Sequence, residues 1–595
     1  MASRVTSSRF VGRAPELAEL EAALADAAAG NPSLAFVAGD SGIGKSRLLS
    51  EFLRRARAEG ARTLTGDSIE LGDGELPYAP LVDALRPLAR EHDPVLEGLA
   101  PATRGELGAL LPGLGDGRPG DGAADAQARL FEALLTLLDE LAHERPLVLA
   151  LEDLHWADRS TRSFLTFLSR SLCGERVLVV ATYRADELHR RHPLRPLLAE
   201  LERDASARRL ELRPLARDEL AEQLADILGA PPGGDLLQRL WARSEGNPLF
   251  TEELLAAGLD GRGGLPPTLR DALMVRVERL SVPAQDVLRL LAVGQRLDHA
   301  LLAEAGGQDS ATLREALREA VASHIVVATQ DGSYTFRHAL LREVVEDDLL
   351  PGERAELHLA LAHALERRPG AGAHLLAGIA HHYLQAGDQA AALSACVRAA
   401  AAAESVRAHG EAAAQLERAL ELWDRVADPE ALAGTGRVDL LARAGRAFAD
   451  AGNPARGEAL LEHAVELVDT QAEPHRSAAL RDSLARVQWT RNRGEQALST
   501  ARAALDLLGA DDVSPERASL ESWWTHRLML MGRYQKAVRA AERSMQVATA
   551  AGDVLSQIRT RGAEGVALIG LGRIDGGIAA LREAESLAHQ HGFEG

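Results

Sequence analysis

Gly39-Asp40-Ser41-Gly42-Ile43-Gly44-Lys45-Ser46 is the stretch that decides how this chain is read. It fits G-x-x-x-x-G-K-[ST] at every fixed position, the pattern of a loop that cradles phosphates. Leu34-Ala35-Phe36-Val37-Ala38 precedes it and reads as a short buried strand. Arg47-Leu48-Leu49-Ser50-Glu51-Phe52-Leu53 follows it with apolar residues at helical spacing. Strand, glycine turn and helix N-terminus together form an anion site. The glycines let backbone N–H groups face the phosphates, and the helix dipole adds partial positive charge. Lys45 and Lys536 are the only lysines in the chain, so a lysine in this loop does not follow from composition.

At 595 residues the chain is too long for one core, so several domains are expected. A net charge of −20 argues against a general nucleic-acid or anionic-membrane surface, which needs clustered positive charge. The arginine-rich stretch from Arg184 to Arg217 is broken by Asp186, Glu187, Glu200, Glu202, Asp204 and Glu211 and reads as a solvated helical face. Cys173 and Cys396 lie far apart without metal-site spacing, which fits a reducing compartment. Met1 to Arg9 contains no apolar signal region and no apolar run reaches membrane-spanning length, so a cytoplasmic protein without a membrane partner is expected.

Strand candidates at 34–38, 63–65, 147–151, 177–182 and 210–212 alternate with helical segments and predict a parallel sheet covered on both faces. Residues 112–122 read as a mobile loop by composition. Short helices follow from 216, broken at Gly229 to Gly234, and Gly261 to Pro267 marks a boundary. Ile325-Val326-Val327 and Tyr334-Thr335-Phe336 flank Asp331-Gly332, a hairpin signal that after helices suggests a winged helix. From about 352 no strand is expected. Ala459-Leu460, Ala497-Leu498, Ala537-Val538 and Gly577-Ile578 recur after small-residue turns at a period of roughly forty, as in a solenoid of helix pairs. The expected fold is thus an α/β P-loop NTPase domain with a parallel sheet (1–215), a helical segment (216–265), a winged-helix module (266–350) and an all-α tetratricopeptide-like solenoid (351–595). The chain stops at Gly595 with no visible polar cap, which reads as truncation or an exposed interaction end.

A phosphate loop needs an acidic partner on a neighbouring strand. Leu147 to Leu151 followed by Glu152-Asp153 supplies two carboxylates that point to different sides, one for a metal and one for water. Asp158 reads as the cap of the next helix. Thr182-Tyr183-Arg184 ends the following strand. Arg184 either reaches a γ-phosphate by charge-assisted hydrogen bonds or pairs at the surface with Asp186 or Glu187.

Phe10-Val11-Gly12-Arg13, Glu16-Leu17, Leu20, the phosphate loop, Leu151-Glu152-Asp153-Leu154-His155-Trp156-Ala157-Asp158, Ala181-Thr182-Tyr183-Arg184, Glu245-Gly246-Asn247-Pro248-Leu249-Phe250 and Phe336-Arg337-His338-Ala339-Leu340 occur in that order. In this the chain resembles the signal-transducing STAND-type AAA-related ATPases, and most of all the large ATP-binding LuxR-type (MalT-like) regulators. The resemblance implies that residues 216–265 are a lid and that ATP or ADP binds with Mg²⁺. Its binding set would be Val11, Gly12, Arg13, Gly39, Asp40, Ser41, Gly42, Ile43, Gly44, Lys45, Ser46, Arg47, Arg184, Pro248 and His338. Phe10 to Arg13 and Pro248 would sit near the base, Lys45 would contact the β- and γ-phosphates, and His338 would read ADP. Ser46 and Glu152 would hold the metal, with Lys45, Glu152 and Asp153 as the catalytic set for slow hydrolysis. Glu152 stands where the family more often has Asp, a longer side chain that could slow the reaction. An inducer, small molecule or protein, is expected on the repeats, with self-association in ATP. The family's C-terminal helix-turn-helix is not visible, so DNA would be reached only through a domain absent from this chain. The alternatives are the ATPase-and-repeat portion of another signalling protein such as a nucleotide cyclase, a metabolic P-loop enzyme, or a repeat scaffold with a degenerate nucleotide site.

Overall fold

Near-continuous apolar runs cannot face water on either side, and here they form a sheet covered on both faces. The computed structural model describes residues 7, 9–68, 76–111, 114, 126–189, 192–201, 207–258, 269–329, 331–368 and 372–591. Five strands, β1 (Ser33–Gly39), β2 (Arg62–Asp67), β3 (Leu147–Glu152), β4 (Val177–Arg184) and β5 (Ala207–Glu211), form one parallel sheet in the order β2-β3-β4-β1-β5. Every residue of β1 and β4 is buried. Helices Ala14–Ala28 and Lys45–Ala58 supply Leu20, Leu24, Leu48 and Phe52 to the core on one face. Phe131 and Phe164, from helices Ala126–Ala142 and Arg159–Ser171, meet edge-on at 5.4 Å.

Two expectations change. β3 is not the neighbour of β1; β4 lies between them, so Glu152 approaches the phosphate loop across an intervening strand. The stretch from Arg184 to Arg217 is not one solvated helical face. Its regular elements among the described residues are Arg184 at the buried end of β4, the helix Leu194–Leu201, β5 and the first residue of the helix Arg217–Leu228. The composition-based loop at 112–122 falls outside the described residues except for Leu114, and the boundary at Gly261–Pro267 falls outside them entirely.

Helices Arg217–Leu228, Gly234–Ser244 and Pro248–Gly258 follow the sheet. Then come four more helices over 269–322 and a second, antiparallel sheet. The hairpin strands are β7 (Val326–Ala328) and β8 (Ser333–Phe336), and β8 also pairs with β6 (Arg296–Asp298). Three residues carry no readable period, so β6 had no sequence signal. Leu288, Leu291, Leu317, Ile325 and Phe336 share a core with Leu361 and Ala364 from the helix Pro351–Glu366.

The chain divides into two compact units, Met1–Glu411 and Ala412–Gly595, so the expected start of the repeats at 351 falls within the first. Among the described residues no strand follows Phe336, and no helix is long and apolar enough to cross a membrane. Cys173 and Cys396 are not joined.

In the second unit, helix pairs recur at forty residues. The N-caps of the second helices are Asn453, Arg493, Arg533 and Arg573. Small residues hold each pair in close contact. Gly445, Ala485, Thr525 and Gly565 sit on the first helices; Gly457, Ala497, Ala537 and Gly577 sit on the second. A Cβ on Gly457 would lie 2.5 Å from Gly445 O, and one on Gly577 would lie 2.6 Å from Gly565 O. The counterpart of Ala497 is therefore Gly457, two residues before the Ala459-Leu460 register that the sequence suggested.

Candidate functional site

In a parallel sheet every strand's C-terminal end opens on the same edge, and ligands bind there where the strand order reverses. β1 ends at that edge in the phosphate loop. Gly42 and Gly44 have φ of 76° and 103°, the left-handed region that a side chain disfavours. A Cβ on Gly44 would meet nothing within 4 Å, so the loop backbone there faces open space. The Lys45 ammonium donates to Gly39 O at 2.7 Å and Asp40 O at 2.9 Å, which points it along the loop. Burial lowers its pKa, opposed first by the charge of Asp153.

The carboxylates lie opposite. β2 and β3 pair with Asp67 beside Glu152. Burial, then the neighbouring Asp67, pushes Glu152 up to about 7, while a hydrogen bond with Ser46 and the charge of Lys45 oppose the shift. Asp67 is pushed up to about 6, by burial and then by Asp83, with Arg296 opposing. Asp153 is also raised by burial, against Arg184 and Lys45. Its φ of 53° turns the chain at the strand end, and its N–H donates to Thr182 Oγ1 at 3.0 Å. Asp158 caps its helix through Thr161 N–H at 2.9 Å, and it also accepts from Tyr78 N–H at 2.9 Å at the start of another helix.

Arg184 is buried, so it is not a surface arginine, although it does pair with Glu187. Its guanidinium also meets Glu343 Oε1 at 2.8 Å and lies 4.8 Å above the Trp156 ring. Glu343 belongs to the helix Ala339–Asp348, which follows β8. His338 is the N-cap residue of that helix rather than part of the hairpin turn, and burial, then Arg337 and Arg276, lowers its pKa to about 4.

The segment around 247 clasps the tip of the loop. Asn247 Nδ2 donates to Ser41 O at 2.9 Å, and its Oδ1 accepts from Leu249 N–H at 3.1 Å and from Phe250 N–H at 3.3 Å. Leu249 N–H donates to Gly42 O at 3.4 Å, and a Cβ on Gly42 would lie 2.9 Å from Leu249 Cβ.

One cavity of about 600 Å³ collects these groups. Ser41, Gly42, Gly44, Lys45, Ser46, Arg47, Glu152, Asp153, Arg184, Pro248 and His338 line it. Gly39, Asp40 and Ile43 do not line it; Gly39 and Ile43 are buried and Asp40 is exposed. Val11, Gly12 and Arg13 do not line the cavity. Arg13 instead donates to Ile43 O at 3.1 Å, behind the loop, and Gly12 packs on Leu215 and Glu219. Arg47 donates to Ser7 O at 2.7 Å and Arg9 O at 2.6 Å. Sequence reasoning missed Asn247, Trp156, Asp67 and Glu343. The first two lie inside motifs it quoted, and attention to buried polar groups there would have found them. Asp67 and Glu343 carry no local signal, because only the pairing of β2 with β3 and the approach of a helix some 160 residues later bring them in.

The family model of the AAA ATPase domain matches residues 9–180. An uncharacterized protein of Rhizobium meliloti is 27% identical over 446 residues, which covers 68% of this chain and 41% of that protein. The chain thus spans about two fifths of the length of the curated relative it matches. Among solved structures, a STAND protein with a tetratricopeptide repeat sensor from Pyrococcus horikoshii is 14% identical, with a TM-score of 0.43, covering 99% of this chain and 85% of its own. Aspartyl phosphate phosphatase F from Bacillus subtilis is 11% identical, with a TM-score of 0.30, over 54% of this chain and 83% of its own.

Proposed function

We propose that this chain is a nucleotide-operated signalling switch that regulates transcription in the manner of the large ATP-binding LuxR-type proteins, with slow ATP hydrolysis as the reset. The observation that carries the reading is the shared cavity. The phosphate loop, the acidic end of β3, Arg184, the 248–252 helix start and the β8–helix junction all line it, so one ligand would touch every element that a switch must hold or release. Its volume of about 600 Å³ suits a nucleotide-sized ligand.

The residues fit a magnesium nucleotide. Open space over Gly44, a buried ammonium on Lys45, and the paired carboxyls of Glu152 and Asp67 in the cavity wall form a donor set for phosphate and a divalent ion. Lys45 and the loop N–H groups would hold the phosphates, and Ser46 and Glu152 the metal. When bound, Mg²⁺ supplies charge neutralisation at the phosphates. Asp153 orients water from the other side of the strand end. Val11 to Arg13 act from behind the loop through Arg13 and Ile43 O, Asn247 and Pro248 close the lid, and His338 faces the ligand from the neighbouring module, which we read as a winged helix.

The trigger is Arg184. Without a third phosphate its guanidinium stays with Glu187 and Glu343. A γ-phosphate competes for it and frees the helix that carries Glu343. Each charge-assisted hydrogen bond is worth about 1.5–3 kcal/mol. Taking a two-state equilibrium from 1:99 to 99:1 needs about 5.5 kcal/mol, so an inducer on the repeats must supply the remainder. Titration calorimetry with ATP and ADP, and sedimentation in each, test the reading. Binding of both nucleotides with self-association in ATP alone is expected; a chain that binds neither overturns it.

A further inference from the structure

Outside the nucleotide cavity, three histidine side chains converge in a closed core. His358 lies on the helix Pro351–Glu366; His381 and His382 are adjacent on the helix Ala373–Ala386. All three are buried, at 4%, 9% and 5% exposure. Neighbouring residues on a helix diverge by about 100°, so burying both His381 and His382 takes two covering surfaces. Helices Pro351–Glu366 and Gln389–Ser405 provide them. The ring centroids of His358–His382, His358–His381 and His381–His382 are 5.1, 5.6 and 5.2 Å apart, with planes inclined at 45°, 73° and 66°. That is a triangle of tilted rings, not a stack. His358 Nδ1 and His382 Nδ1 are 2.8 Å apart, and one nitrogen from each of the three rings lies within 4.8 Å of the others. Among the described residues no other set of three His, Cys, Asp or Glu converges in this way.

The 2.8 Å contact lets one proton lie between His358 and His382. Burial, together with the charge of His381 and then Arg354, holds His358 near 3; burial, then His381 and His358, holds His382 well below its ordinary value. A neutral imidazole is the form that ligates a metal. Zn–N bonds of about 2.0–2.1 Å in tetrahedral geometry set the nitrogens about 3.3 Å apart. That spacing lies between the 2.8 and 4.8 Å found here, so small side-chain rotations reach it.

We infer that His358, His381 and His382 form a binding site for a first-row divalent transition ion, zinc in particular, with a fourth position left for water or a small ligand. The ion would clamp the helix Ala373–Ala386 to the one that carries Leu361 and Ala364 into the core around Phe336.

The test uses the full chain, stripped with a chelator and dialysed, with excess Mg²⁺ present to occupy carboxylate sites. Zn²⁺ is titrated against a chromophoric chelator, and Co²⁺ is added separately to read its visible absorption. One tight equivalent of Zn²⁺ and a four-coordinate Co²⁺ spectrum are expected. His358→Gln and His382→Gln should each weaken binding at least 100-fold, while His463→Gln, on an exposed position of the second unit, leaves it unchanged. If folded His358→Gln and His382→Gln bind like the unsubstituted chain, the site is wrong. Should those variants not fold, the unsubstituted chain decides. A Co²⁺ spectrum with a rise in thermal midpoint on Zn²⁺ supports the site, and the lack of either overturns it.

Discussion

The phosphate loop and the paired helices of the second unit both use glycine, for opposite reasons. Gly44 has a φ of 103° and nothing within 4 Å of where its Cβ would stand, so what it supplies is backbone conformation. Gly577 lies inside a helix, with ordinary dihedrals, but a Cβ there would come within 2.6 Å of Gly565 O and 2.5 Å of Ile569 Cγ1. What it supplies is volume. The first kind of glycine serves a ligand and can be read from a motif; the second serves a neighbouring helix and shows only as a period.

The largest effect that bears on this contrast lies outside glycine. Lys45→Ala removes the loop's ammonium, and nucleotide affinity by calorimetry should fall 100-fold or more, since charge-assisted hydrogen bonds contribute about 1.5–3 kcal/mol each. Thermal unfolding of the second unit should not change. Gly577→Val should do the reverse. Overpacking costs typically about 1–3 kcal/mol, read as a lower unfolding midpoint of the second unit with nucleotide affinity kept. If Gly577→Val weakens ATP binding instead, the division of roles fails.

The carboxylates give a pH signature next in size. Folded, Glu152 keeps its proton to about 7 and Asp67 to about 6, against ordinary values of 4.5 and 3.8. Between those limits these two carboxyls bind more protons in the native chain than in the unfolded one, so the stability they contribute is fully present below about 4 and is lost as pH rises to about 7. The loss is of order 2 kcal/mol, taking about 1.4 kcal/mol per pKa unit and discounting for partial exposure. Denaturation midpoints measured against pH without Mg²⁺ should show this decline, and Glu152→Gln should flatten it. Asn247→Ala should cost about 1 kcal/mol by losing the bond to Ser41 O, read as faster nucleotide release. Gly44→Ala is the sharpest comparison with Gly577: strain without collision, of about 1 kcal/mol. An effect as large as that of Gly577→Val would mean that the space over Gly44 is not free.

Much of the site was legible because it is local. Strand, loop, Lys45, Ser46 and the helix that follows are consecutive, and the first four strand segments of the sheet lie where apolar runs predicted them, whereas β5 spans Ala207–Glu211 against an expected 210–212. The strand order was not legible: nothing in the residues of β3 or β4 says which lies beside β1. The repeat register slipped by two because an alanine-rich sequence offers several near-equal alignments, and only the contact of Gly457 with Gly445 O selects one.

By itself the sequence determined what depends on neighbours along the chain: a phosphate loop at the end of a buried strand, two acids closing another, and helix pairs at forty residues. Tertiary structure alone decided that Asp67 stands beside Glu152, that Glu343 holds Arg184, and that Asn247 grips the loop. Those pairings depend on packing between segments 85 to 206 residues apart, and the energy that fixes them is burial shared among elements, which no single stretch of sequence records.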